Sequence, residues 1–185
     1  MRALSLALIL ATPAVAQDVT PQMALATLPA DVAETIAARP ARFADRAADM
    51  ILSHGRDDAL TAADIDRALA LDRAFFRARA LRPFLEADID ADGAVTRDEA
   101  RARASVLGAD GRARLLRQHG QADTDADGTL TPDELASHAQ AEATRALPPQ
   151  DEAMARAILA FDLNADSRVT LGEIQTTAAA LSQDG

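Results

Sequence analysis

Oxygen-bearing side chains recur at fixed spacing in two twelve-residue segments. Residues 88–99 and 123–134 both carry aspartate at positions 1, 3 and 5, glycine at position 6 and glutamate at position 12. A chain that coils tightly around a hard cation points every second side chain inward, and glycine permits the left-handed bend at position 6. Calcium takes about six to eight oxygen ligands. The spacing therefore predicts a calcium site in each segment.

The position of each residue in the loop predicts its role. Positions 1, 3 and 5 supply carboxylates, position 7 a backbone carbonyl, position 9 a water-holding side chain and position 12 a bidentate carboxylate. In the first loop these residues are Asp88, Asp90, Asp92, Ala94, Thr96 and Glu99. In the second loop they are Asp123, Asp125, Asp127, Thr129, Thr131 and Glu134. Val95 and Leu130 take the apolar position 8, where paired loops would form a short strand contact.

A third segment, 162–173, keeps the ligand positions but loses the glycine. Its expected ligands are Asp162, Asn164, Asp166, Arg168 through its carbonyl, Thr170 and Glu173. Ser167 stands at the bend, where a Cβ costs about 1 kcal/mol. Asn164 also removes one ligand charge. We expect weaker binding here, with filling at millimolar calcium.

A fourth segment, 53–64, keeps only the outline of the pattern. Ser53 and Gly55 stand at positions 1 and 3, where carboxylates are expected, while Leu60 keeps the apolar position 8. The regular recurrence of the loops indicates duplication of one helix-loop-helix unit. Since one unit cannot bury its apolar face alone, units are expected to pack in pairs. We expect 53–64 to pair with 88–99, and 123–134 to pair with 162–173.

These residues make the chain similar to the EF-hand superfamily, in a four-unit, calmodulin-like arrangement over about residues 41–182. The resemblance implies an all-α fold of two EF-hand pairs, the first unit degenerate, with calcium as the cofactor. We expect a leader at 17–40, a first pair at 41–107 and a second pair at 111–182, with the break between the pairs at Gly108–Gly111. The leader is expected to add a short helix at Asp31–Arg39.

A second family uses similar loops. Bacterial dockerin modules resemble half of this motif, with a helix after each calcium loop and none in front. Here apolar residues stand at helical spacing before the loops, including Phe84 before the first complete loop and Phe161 before the imperfect one. That spacing favours the two-helix unit.

The amino-terminal segment predicts export. Arg2 precedes the run Leu4–Leu10, in which nearly all residues are apolar, and Ala14–Ala16 matches the small-residue cleavage rule. This pattern predicts that 1–16 is a signal peptide cut before Gln17. The alternative, a membrane anchor, is disfavoured because the run is shorter than the roughly 20 residues that span a bilayer. We expect a bacterial-type periplasmic or secreted protein with no membrane span in its mature chain.

Composition narrows the function classes. The formal net charge is −10, with 29 acidic against 19 basic residues, which disfavours a nucleic-acid partner. The absence of cysteine excludes disulfides and thiolate metal sites. The chain has no HExxH motif, GxSxG elbow or phosphate-binding glycine loop, so we expect no enzymatic activity.

Two roles for the bound calcium remain open. Sensor EF hands open a methionine-rich groove for a target helix, but the mature chain keeps only Met23, Met50 and Met154, and Arg103 stands where that groove needs an apolar side chain. We therefore favour structural or buffering calcium binding. The alternative is a calcium-dependent adaptor that docks on another envelope or secreted protein.

Two histidines flank the second complete loop at positions that face the core of such a unit. His119 lies four residues before Asp123, and His138 lies four residues after Glu134. The simple interpretation is a pair of half-buried histidines. The functional alternative is a pH link, in which protonation loosens the unit and lowers calcium affinity at 123–134.

Overall fold

Residues 19–183, the part of the chain that the computed structural model describes, are mainly helical. The helices are α1 (Pro21–Ala26), α2 (Ala30–Ala38), α3 (Pro40–His54), α4 (Ala62–Leu85), α5 (Arg97–Ser105), α6 (Ala109–Ala122), α7 (Pro132–Ala146), α8 (Pro149–Ala157) and α9 (Leu171–Gln183), with a short 3-10 helix at Ile158–Phe161. The strands are β1 (Ala59–Leu60), β2 (Val95–Thr96), β3 (Thr129–Leu130) and β4 (Val169–Thr170). The predicted all-α fold is confirmed. The predicted signal peptide, 1–16, lies outside the described residues.

The two complete loops run directly into capped helices. Thr96 is the N-cap of α5 and Thr131 is the N-cap of α7, and each forms a capping box with the glutamate three residues later. Helices also precede these loops, since α4 ends at Leu85 and α6 at Ala122. The two-helix unit is therefore confirmed for both loops, and the dockerin arrangement is not found.

The strands pair differently from the prediction. β2 pairs antiparallel with β3, placing Val95 opposite Leu130. β1 pairs antiparallel with β4, placing Leu60 opposite Val169. Position 8 is the point of contact, as predicted, but the expected partners were wrong: 88–99 pairs with 123–134, and 53–64 with 162–173.

The length of α4 explains the correction. This helix runs without interruption for 24 residues, which is roughly 36 Å at 1.5 Å per residue. Loops at its two ends cannot form a strand pair with each other. The break that we expected to separate the pairs, near Gly108 and Gly111, is only a tight connection between α5 and α6, because Gly108 caps α6 and Gly111 lies inside it.

The chain forms two compact domains whose boundaries follow this pairing. The central domain is Ala62–Arg156, and the terminal domain comprises the described residues up to Thr61 and from Ala157 onward. The predicted division into 41–107 and 111–182 is wrong for the same reason, since both predicted pairs are split between the two domains.

The central domain packs its helices around one apolar cluster. α4 lies against α7, and α5 lies against α6. The buried members of the cluster are Phe84, Ala87, Val95, Ala100, Ala104, Leu115, Ala122, Leu130 and Leu135. Position 8 of both complete loops therefore lies in this core.

The terminal domain includes the leader. α3 packs on α9, and the rings of Phe43 and Phe161 lie 5.1 Å apart. The leader forms α1, which contacts α9 and the 3-10 helix, and α2, which buries Ile36 completely. The helix predicted at 31–39 is confirmed within one residue at each end. No helix among residues 19–183 is long and apolar enough to cross a membrane.

Candidate metal centre

The loop at 88–99 is coiled by its own side chains. Asp88 Oδ2 accepts the Gly93 N–H at 3.1 Å, and Gly93 adopts a φ of 86°. The carboxylates at positions 3 and 5 accept N–H groups from two residues further on: Asp90 accepts the Asp92 N–H at 3.2 Å, and Asp92 accepts the Ala94 N–H at 2.8 Å. These bonds turn the backbone around a central point, and Gly93 supplies the left-handed bend that the sequence predicted.

Glu99 closes this loop from the first turn of α5. Its Oε1 accepts the Ile89 N–H at 3.0 Å, and its Oε2 accepts the Thr96 N–H at 2.8 Å and the Thr96 hydroxyl at 2.7 Å. These bonds, led by the Thr96 hydroxyl, lower the pKa of Glu99 to about 2. At neutral pH this side chain is a carboxylate.

Three carboxylates of this loop converge. Asp88, Asp90 and Glu99 each offer an oxygen within 4.8 Å of the others. Asp88 Oδ1 is buried and has no hydrogen-bond partner. A buried, unpaired carboxylate oxygen is costly unless a cation neutralises it. The donor set therefore fits a hard cation such as calcium.

The loop at 123–134 repeats this geometry. Asp123, Asp125 and Glu134 form the second group of carboxylate oxygens within 4.8 Å, and Asp123 Oδ1 is again buried without a partner. The Gly128 N–H donates to Asp123 Oδ2 at 3.1 Å, with a φ of 93° at Gly128.

Glu134 accepts hydrogen bonds from two threonines, one of which has no predicted role. Hydrogen bonds from Thr131 and Thr124, led by the Thr131 N–H, lower the pKa of Glu134 to about 2. The Thr124 hydroxyl lies 2.8 Å from Glu134 Oε1. Sequence reasoning assigned no role to position 2, although a hydroxyl there, opposite the glutamate, was a usable signal.

The remaining predicted ligands lie around these two groups. Asp92 and Asp127, at position 5, do not belong to the two sets of three converging carboxylates. They stabilise the turn instead, and Asp127 Oδ1 accepts the Thr129 N–H at 2.7 Å. Ala94 and Thr129, predicted to offer carbonyls, donate their N–H groups to these two aspartates. The hydroxyls of Thr96 and Thr131 serve as helix caps.

The loop at 162–173 has the same backbone but a different arrangement of side chains. Ser167 adopts the left-handed bend with a φ of 66°, and its N–H donates to Asp162 Oδ2 at 2.7 Å. The Asn164 amide donates to Asp166 Oδ2 at 3.2 Å, and Asp166 Oδ1 accepts the Arg168 N–H. Both Asp166 oxygens are therefore engaged by the loop itself.

Glu173 closes this loop as its counterparts do. Its Oε1 accepts the Leu163 N–H at 2.9 Å, and its Oε2 accepts the N–H and hydroxyl of Thr170, each at 2.8 Å. Within residues 19–183, the two groups of three convergent acidic side chains are those at 88–99 and 123–134, so 162–173 does not form one.

The segment 53–64 forms a tight turn. Asp57 and Asp58 both adopt positive φ values, and the Arg56 N–H donates to the Ala59 carbonyl at 2.9 Å. A Cβ at Gly55 would lie 2.5 Å from the carbonyl oxygens of Ile51 and Ala59, so glycine is required there. The segment keeps its strand contact but has no convergent carboxylates among its described residues.

The two histidines differ in their environments. His119 is only 3% exposed, and its Nε2 lies 3.0 Å from the Val95 carbonyl oxygen. His138 is half-buried with its ring edge-on to Phe84 at 5.4 Å, and its buried Nε2 has no partner. Burial lowers the pKa of His138, Glu142 opposes that shift, and Arg145 adds to it.

Comparison with known proteins identifies one of these regions. Residues 120–137 match a family model described as the EF hand. No curated protein and no solved structure matches the chain. The matched residues contain the loop at 123–134. Together with the two carboxylate groups, the match supports the EF-hand superfamily and calcium binding.

Proposed function

We propose that this is an exported four-unit EF-hand protein that binds calcium at 88–99 and 123–134, and more weakly at 162–173. The observation that supports this most directly is the convergence of three carboxylates in each of the first two loops around a buried, unpartnered aspartate oxygen. Bound calcium would neutralise these charges and draw the two glutamates, and with them the starts of α5 and α7, toward the loop.

Weaker binding at the third site is proposed on three features of that loop. Ser167 occupies a strained left-handed conformation. Asn164 replaces one carboxylate, and its amide already bonds Asp166. Calcium would have to displace that bond, whereas the complete loops offer oxygens that lack a partner.

We propose a structural or buffering role for the ion, without catalysis. The central domain has a thin, alanine-rich core, so a cation that ties each loop to its following helix adds stability where burial supplies little. Arg103, at a position where a target groove needs an apolar side chain, forms an ion pair with Glu86 at 2.6 Å. This polar contact disfavours a broad apolar groove.

A calcium-dependent adaptor is the second candidate. It is favoured by large apolar side chains on the central domain that are more than half exposed, among them Phe75, Leu85 and Val106. Exposed apolar side chains mark an interaction site where they form a contiguous patch. An apolar fluorescent dye distinguishes the roles: calcium-induced dye binding would favour the adaptor, and unchanged binding the structural role.

Export is proposed on the sequence of residues 1–16, with the protein placed in the periplasm or outside the cell. The charged start, the short apolar run and the small-residue cleavage pattern support it. Mass spectrometry of the amino terminus of the protein recovered from cell envelope and medium tests it. A mature chain that begins at Gln17 is expected, and an uncleaved chain in the cytoplasm would contradict it.

The test of calcium binding is a calorimetric titration of residues 17–185, with circular dichroism before and after chelation. We expect two stronger sites and one weaker site, and a loss of helix on chelation. The double variant Glu99→Gln, Glu134→Gln should remove the stronger binding while keeping the capping boxes, because glutamine also caps. Absence of binding at millimolar calcium would overturn the proposal.

A further inference from the structure

Arg97 belongs to one calcium loop but lies over the other. It is position 10 of the 88–99 loop, and its N–H donates to the Gly128 carbonyl at 2.8 Å. This bond follows from the register, which pairs Thr96 with Thr129 in the antiparallel β2–β3 contact. Position 10 of one loop therefore stands opposite position 6 of its partner.

The side chain of Arg97 extends from this point to the first ligand position of the neighbouring loop. Its Nη2 lies 3.7 Å from Asp123 Oδ2, and its guanidinium would lie 3.5 Å from a Cβ on Gly128. The Asp123 side chain is 3% exposed, whereas that of Arg97 is 55% exposed. A solvent-facing cation thus rests against a buried carboxylate of the candidate metal centre.

The arrangement is not reciprocal. Position 10 of the 123–134 loop is Pro132, which has no charge. A Cβ on Gly93, the position 6 glycine of the 88–99 loop, would meet nothing within 4 Å. Of the two complete loops, only 123–134 receives a cation from its partner across the strand contact.

We propose that Arg97 sets the calcium affinity of the neighbouring loop, lowering it at 123–134 relative to 88–99. The inference rests on the proposed calcium binding. In the empty loop the guanidinium offsets the charge of Asp123. When calcium binds, a like charge stands beside the ion, and the Coulomb cost is doubled because calcium is divalent. Arg97 therefore makes two loops with the same acidic ligand positions bind calcium with different affinities.

Removal of this charge should raise calcium affinity at 123–134. With one side of Arg97 in solvent, screening limits the change to about three- to tenfold. To isolate this site, the titration uses full chains in which Glu99→Gln and Glu173→Gln disable the other two loops. Into this background are placed Arg97→Gln, Arg97→Lys and Arg101→Gln.

Arg101→Gln is the matched control. Arg101 lies one turn further along α5 and pairs with Asp98 at 3.1 Å, so its loss changes net charge by the same amount away from the metal centre. Arg97→Gln should raise the affinity, Arg101→Gln should leave it nearly unchanged, and Arg97→Lys should preserve most of the reduction. The gain in Arg97→Gln should shrink in 0.5 M salt, where the Debye length falls to about 4 Å.

Equal affinities for the Arg97→Gln and Arg101→Gln chains would overturn the inference, provided that circular dichroism shows both to be folded. That result would leave the proposed calcium binding intact, because the background chain would still bind. If the wild-type chain bound no calcium at any concentration, the proposed function itself would fail, and this inference with it.

Discussion

The central and terminal domains contain the same strand-paired loops but are held together by different means. In the central domain both loops gather three carboxylates, and four of the nine buried residues of the core are alanines. In the terminal domain one loop has a tight turn and the other lacks convergent carboxylates, but the large rings of Phe43 and Phe161 pack together and the leader adds two helices. In the terminal domain, burial of large apolar side chains supplies the stability that we propose bound calcium to supply in the central domain.

The features shared by the two domains show what the repeat requires for packing. Leu60 and Val169 in one strand pair, and Val95 and Leu130 in the other, are each at most 1% exposed. The ligand positions vary while these apolar contacts persist. Strand pairing therefore depends on position 8, and metal binding depends on the acidic positions around it.

Truncating the largest buried ring of each domain tests this difference most strongly. Phe84 and Phe161 are both fully buried, so Phe84→Ala and Phe161→Ala should each cost about 3–5 kcal/mol in chelator. Calcium at about 100 times the dissociation constant of each site should stabilise the central domain by about 2.7 kcal/mol for each of its two sites. Hydrogen exchange of peptides from each domain should show a strong calcium rescue for Phe84→Ala and a weak one for Phe161→Ala. Equal rescue in the two variants would contradict the comparison.

The local features of this architecture could be predicted from sequence. Ligand spacing, the apolar residue at position 8 and the helices before the loops depend on residues within about a dozen positions of one another. The convergence of Asp88, Asp90 and Glu99 follows from such spacing, since backbone coiling brings alternate residues together.

The partners of the loops could not be predicted in this way, because pairing joins residues that are distant in the chain. The glycines near 108–111 predict a boundary between pairs, whereas the uninterrupted α4 decides the pairing. The contact of Arg97 with Asp123 depends on the register of the strand pair, so a wrong prediction of the pairing also misses this contact.

Removing the closing glutamate should weaken calcium binding more in a complete loop than in the imperfect one. Glu134→Gln keeps the helix cap but removes a ligand charge, and should weaken calcium binding at 123–134 by at least the roughly 10- to 100-fold that loss of an outer-shell partner costs. Glu173→Gln should change the calorimetric heat far less, since 162–173 does not gather three acidic side chains. A larger loss from Glu173→Gln would show that the terminal domain holds the tighter site.

Exchanging the residue at the bend should make the two loops more alike in stability and in calcium affinity. Ser167→Gly removes the strain of a non-glycine residue at a φ of 66° and should stabilise the terminal domain by about 0.5–1 kcal/mol. Gly128→Ser, at a φ of 93°, should destabilise the central domain by about 1–2 kcal/mol. Urea unfolding in chelator measures both, and calcium titration should show a parallel change in affinity. A destabilised Ser167→Gly chain would mean that the serine makes compensating contacts.

Acidification should produce the smallest difference between the domains, through His138. Burial lowers the pKa of His138 below its ordinary value of about 6.5, so the folded state favours the neutral ring. Its contribution to stability is therefore complete above about pH 6.5 and declines as the pH falls below that value. Glu142 and Arg145, the charged groups that act on the ring, oppose each other.

His138→Gln should therefore reduce the pH dependence of the central domain by about 2 °C or less in thermal midpoint between pH 7.5 and 5.5. Calcium titrations of His138→Gln at the two pH values extend the test to the metal centre, where a smaller fall in affinity at 123–134 is expected than in the wild type. An unchanged pH dependence in both measurements would exclude a pH link through His138 and leave His138 as a packing residue beside Phe84.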